Sequence, residues 1–169
     1  MDFIEGSASS VSGNDVDWYM KSINTTEGRI AEYWVHALSV QINNFGDRAF
    51  EDPYKLVITR LVDPQQEASK YTIPAVTQQL AFLHGVDESW FCRQVGSLFL
   101  DGSQEKQAQA WDGYLASNGP RKATFELLED AFESALYKLD NLFSESRKTR
   151  FIEFLTASIV WFVEKPNDV

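Results

Sequence analysis

The stretch from Phe151 to Val163, FIEFLTASIVWFV, constrains this chain more than any other. Only Glu153, Thr156 and Ser158 interrupt it, and its apolar residues fall on every side of a helical wheel. A surface helix keeps a solvated face, so a helix that is apolar all round belongs in a core or in a membrane. Thirteen residues at ~1.5 Å each span ~20 Å, too short for the ~30 Å of hydrocarbon in a bilayer. The expectation is a central helix on which the others pack, or one half of an unsatisfied interface. In this reading Ser144 caps the helix and Pro166 ends it.

Hydrophobic periodicity extends the helical reading along the chain. Residues 1–14 are rich in Ser and Gly and are read as a loose segment, with one helical domain over 15–169. A short helix from Asp15 carries Trp18, Tyr19 and Ile23 and closes at Asn24. Thr26 is the expected cap of a helix from Glu27 to about Asn43, whose Ile30, Tyr33, Trp34, Ala37 and Leu38 follow three-four spacing. Asp52-Pro53 and Asp63-Pro64 read as cap-and-proline starts. The second opens a helix from Gln65 to His84 that Pro74 should kink or split. Asp87 and Ser103 are the next caps, and Asn118-Gly119-Pro120 is the strongest breaker. Beyond it Phe125, Leu128, Phe132, Leu136 and Leu139 share one face of a helix over Thr124–Leu139. No stretch alternates with period two. The fold expected is all-α, seven to nine short helices in antiparallel pairs, with an α-α superhelix of the HEAT type as one arrangement of those pairs.

Chemistry has a thin signal. His36 and His84 are the only imidazoles and Cys92 the only thiol. No pair of them has the spacing of a zinc site, and Asp87 and Glu88 between His84 and Cys92 offer at most a partial one. A pocket near His36, His84 and Cys92, in a small enzyme or ligand-binding protein, is the alternative to an inert module. There is neither a phosphate-cradling glycine loop nor a nucleophile elbow, so no catalytic residue, cofactor or metal is assigned. A net charge of −10 disfavours nucleic acid. Arg147, Lys148 and Arg150 form the one basic cluster, read as a solvated face. The lone cysteine fits a reducing, cytoplasmic setting, and MDFIEGSASS lacks the basic and apolar regions of a signal peptide. The remaining candidate is aromatic: Trp111 and Tyr114, with Asn118 and Pro120, form either an interaction hot spot or a structural lock between helices.

Three segments, GRIAEYWVHALS (28–39), FLHGVDESW (82–90) and AWDGYLASN (110–118), resemble parts of an all-helical domain of unknown function. That domain is found at the C-terminal end of large bacterial proteins, often after a sirtuin-like NAD-hydrolysing domain in anti-phage defence systems. The resemblance implies a helical, repeat-like, non-catalytic module whose NAD chemistry belongs to a separate domain, and a chain that is a piece of a longer protein. Partners would be another protein or other domains of the same one, with self-association through the C-terminal helix as a further expectation, and neither nucleic acid nor membrane.

Overall fold

A computed structural model of the chain describes residues 16–45 and 50–163. The loose segment 1–14 and the stop at Pro166 lie outside those residues. Among the described residues the fold is all-α, with eleven α-helices, one 3-10 turn, one π turn and no strand. The helices are α1 (Trp18–Ile23), α2 (Thr26–Phe45), α3 (Tyr54–Leu61), α4 (Ser69–Thr77), α5 (Leu80–Val86) and α6 (Glu88–Gln94). They continue with α7 (Gln104–Leu115), α8 (Lys122–Leu127), α9 (Glu129–Tyr137), α10 (Leu139–Leu142) and α11 (Glu145–Ser158). The 3-10 turn is Gly96–Phe99 and the π turn is Ile159–Val163.

Capping chemistry explains most boundaries. The Asp87 carboxylate accepts from the Trp90 amide at 2.8 Å, and the Ser103 hydroxyl accepts from the Lys106 amide at 3.4 Å. Asn24 closes α1 as expected. For α2 the cap moves back by one residue, since it is the Thr25 hydroxyl that accepts from the Gly28 amide at 3.3 Å.

The proline signals act differently from the expectation. The Asp63 carboxylate accepts from the Gln65 amide at 2.9 Å, which holds a turn, and helix begins only at Ser69. Pro74 sits inside α4, and the break falls after Thr77. The helix expected over Thr124–Leu139 is three pieces, broken at Leu128 and Lys138. Phe125, Leu128 and Phe132 are buried, while Leu136, one turn beyond Phe132 in α9, is 45% exposed.

The core sits around α7. Trp111, fully buried, has Phe132 at 4.8 Å, Phe99 at 4.9 Å and Phe151 at 5.2 Å between ring centroids, all edge-on. Tyr114 packs edge-on to Phe154 at 5.3 Å. Such ring pairs contribute ~0.5–1.5 kcal/mol each beyond the area they bury. The helix at the centre is therefore α7, and not the C-terminal apolar stretch.

α4 crosses α7 on its other side. A Cβ placed on Gly113 would fall well inside contact distance of the Pro74 carbonyl oxygen and the Thr77 hydroxyl, and 2.7 Å from Pro74 Cα. Two backbones touch there, which only glycine permits. α1 also lies against α4 and α7. That long-range docking is unlike a row of helix pairs in which each meets only its neighbours.

Replacing Gly113 by Ala should destabilise the fold by about 3 kcal/mol or more through overpacking. Gly85, inside α5 with nothing within 4 Å of an added Cβ, should gain ~0.4–1 kcal/mol as Ala. Urea denaturation of both variants checks the contrast, and equal effects would contradict the crossing.

Candidate interaction face

α11 has two sides that do different things. Arg147, Phe151, Phe154 and Ser158 recur at three-four spacing on the inward side, and the last three are buried. The Ser158 hydroxyl donates to the Phe154 carbonyl at 2.8 Å, so its polar group is satisfied within the helix. Arg150 adds a bond from Nε to the Leu115 carbonyl at 3.2 Å, which ties α11 to the end of α7. Ser144 stands at the cap position as expected, but its hydroxyl faces the Ser146 hydroxyl at 3.2 Å and caps no backbone amide.

The strongest anchor is ionic. Arg147 Nε lies 2.6 Å from Asp112 Oδ1 and its Nη2 2.7 Å from Asp17 Oδ1. Asp112 Oδ2 also accepts from the Tyr19 amide at 3.1 Å, and Asp17 caps α1 through the Met20 amide at 2.8 Å. One guanidinium thus joins α11, α7 and the start of α1. Arg147 is not part of a solvated basic face, since its side chain is only 18% exposed. Burial pushes the Asp112 carboxyl up from 3.8 to about 6, against Arg147 and the Tyr19 amide, which pull it down. A cavity of about 410 Å³ opens beside this group, lined by Trp18, Glu105, Asn141 and Ser144 among others.

The outward side of α11 and of the π turn that follows it carries exposed apolar groups among polar ones. Ile152 is 42% exposed, Val160 43% and Trp161 55%. With Thr156 they line a groove of about 700 Å³, bordered by Lys148 and Glu153. In an uninterrupted α-helix Trp161, three residues after buried Ser158, would share its inward face. The wider π turn leaves Trp161 in solvent, while Phe162, four residues after Ser158, packs toward Phe125 with ring centroids 6.1 Å apart. A stretch that is apolar all round is here packed on one side only. A second exposed row on α2, Ile30, Tyr33 and Val40, lines none of the cavities described here.

The other candidates fall elsewhere. Trp111 and Tyr114 are 0% and 2% exposed and Pro120 is buried, leaving only Asn118 at the surface. Packed this way, the aromatic pair offers nothing to a partner and acts as the lock between helices. His36 lines a cavity with Gln78, Gln79 and Phe82, which includes neither His84 nor Cys92. His84 packs edge-on against Phe91 at 5.6 Å, and Cys92 is a half-buried free thiol. Among the described residues no three His, Cys, Asp or Glu side chains cluster as metal ligands, and no helix is long and apolar enough to cross a membrane.

Sequence reasoning missed the Asp112–Arg147–Asp17 group. The one signal was an aspartate between Trp111 and Gly113, on a helix face that has no solvent side. Compared with protein-family models, curated proteins and solved structures, the chain matches none of them.

A raised carboxyl pKa favours folding most below the unfolded value and loses that contribution as pH rises through the folded one. Relative to Asp112→Asn, the wild type should therefore lose up to about 3 kcal/mol of stability between about pH 4 and pH 6, from 1.36 kcal/mol per pKa unit. Denaturation curves of both proteins across that range test this. A difference that stays flat, or grows in favour of the wild type, would show that Arg147 outweighs burial.

Proposed function

We propose that the chain is a non-catalytic helical interaction module that meets a protein, or another domain of the same polypeptide, through the outer face of α11. One observation carries the reading: a contiguous apolar face, with a half-exposed tryptophan, on a helix whose opposite side is firmly anchored. Burying a large apolar side chain is worth ~1.5–3 kcal/mol, and tryptophan is enriched among residues that dominate binding energy. An anchored helix also presents these groups with little ordering left to lose on binding.

Protein is the better partner class than nucleic acid. The chain carries −10, and the basic groups of α11 are already engaged: Arg147 by Asp17 and Asp112, Lys148 by Asp140 and Glu145. The bacterial defence setting is part of this proposal and rests on the three short resembling segments. In that setting the module would sense or scaffold, and any NAD hydrolysis would belong to a separate domain.

A photo-crosslinking amino acid at Thr156, in the groove, should capture a polypeptide in cells, whereas the same group at exposed Glu126 of α8 should not. Ile152→Glu should abolish the adduct while changing unfolding free energy by no more than ~0.5 kcal/mol, as befits a surface position. An adduct at 156 no stronger than at 126 would refute the reading.

A further inference from the structure

Between α7 and α8, the exposed Asn118 belongs neither to the core nor to the outer face of α11. We infer that Asn118-Gly119 is a site of spontaneous covalent modification, at which the asparagine becomes aspartate or isoaspartate with water as the co-reactant. The Gly119 backbone nitrogen, losing its proton, bonds to Cγ of Asn118. The Cγ–Nδ2 bond breaks, and the amide group leaves as ammonia with that proton. Water then opens the cyclic imide. Cleavage at Cγ restores the ordinary backbone and gives aspartate, while cleavage at the main-chain carbonyl gives isoaspartate. One water enters and one ammonia leaves.

The first step asks that the nitrogen after the asparagine be unbonded, uncrowded and outside a helix. Gly119 is the only glycine in the chain that follows an asparagine, and the absence of a Cβ opens its nitrogen to close approach. The pair lies in a bend, with Gly119 at a φ of 130° and nothing within 4 Å of the place a Cβ would take. The Ala116 and Ser117 amides close the end of α7 on the carbonyls of Asp112, Gly113 and Tyr114, and the bonding stops there. Neither the Asn118 side chain nor the Gly119 amide has a hydrogen-bond partner among the described residues.

The other described asparagines fail the same conditions. The Asn24 side chain donates to the Met20 carbonyl at 2.7 Å, and the Thr25 amide that follows it donates to the Ser22 carbonyl at 3.0 Å. After Asn141, the Leu142 amide donates to the Lys138 carbonyl at 3.0 Å. Asn43 and Asn44 lie within α2, where backbone amides are tied to carbonyls one turn back. At Asn118 either product adds a carboxylate just past the end of α7 to a chain that already carries −10. Isoaspartate also adds one carbon to the main chain that joins α7 to α8.

The test incubates the full chain at physiological temperature in mildly alkaline buffer and weighs its tryptic peptides. Trypsin cuts after Lys106 and Arg121, which isolates the pair on one peptide. That peptide should give two separable products with the small mass gain of an NH2 replaced by OH, while the peptides carrying Asn24, Asn43, Asn44 and Asn141 stay unchanged. The folded chain should react within about tenfold of the rate of a synthetic peptide of residues 116–121, since no unfolding is needed to free the site. Asn118→Gln, whose cyclic intermediate closes far more slowly, should remove both products over the same time. A folded rate below that range, or mass gain at the other asparagines as fast as at Asn118, would overturn the inference. A gain that persists in Asn118→Gln would place the chemistry elsewhere in the peptide and overturn it equally.

Discussion

Where α7 crosses α4, Gly113 brings two backbones into contact at Pro74 and Thr77, and the placement of the other helices follows from that crossing. It sets α7 deep enough for Trp111 to be ringed by Phe99, Phe132 and Phe151, which come from three separate segments. It also brings α1 into reach of both crossing helices. The Ser22 hydroxyl then donates to the Tyr71 carbonyl of α4, while Asp112 of α7 receives the amide of Tyr19. A second close approach, of Gly28 to the backbone of Ser22, folds α2 tightly back on α1. Close backbone contact at two glycines thus does for this fold what a long apolar interface does in a regular bundle.

The polar anchors have a different logic from the aromatic ones. Ionising a nearly buried carboxylate is costly, and Asp112 keeps a raised pKa although Arg147 touches it. What the pair contributes is geometry: one guanidinium fixes the relative positions of α1, α7 and α11. α11 is held by that group, by Arg150 on the Leu115 carbonyl, and by Phe151 and Phe154 among the core rings. With its inner side so committed, the outer side is left displaying Ile152, Val160 and Trp161.

Much of the fold was legible in the sequence because it is written locally. Asp87 and Ser103 announced helix starts through carboxylate and hydroxyl chemistry that acts over three residues, and Asn118-Gly119-Pro120 announced a break that Gly119 makes with a φ of 130°. What was not legible depends on contacts far apart in the chain. Pro74 was expected to kink or split its helix, yet α4 runs through it unsplit and ends at Thr77, beside the α7 crossing. Trp111 and Tyr114 could be read as hot spot or lock, and only their burial among distant phenylalanines decides between these. The C-terminal stretch misled for a related reason: periodicity reports which faces are apolar, not which are covered. Arg147 looked like one of three solvated bases because its partners, Asp17 and Asp112, are distant in sequence.

With the core rings gathered on it, α7 is the last element to open, and the π turn after α11 is an earlier one. Native-state hydrogen exchange reads that order directly. Amides from Ala110 to Leu115 should exchange only through global unfolding, while those from Ile159 to Val163 exchange through a smaller opening of lower free energy. If the C-terminal amides proved the slowest and α7 opened before them, the centre of this molecule would lie in the apolar stretch after all, and its outer face would not be spare.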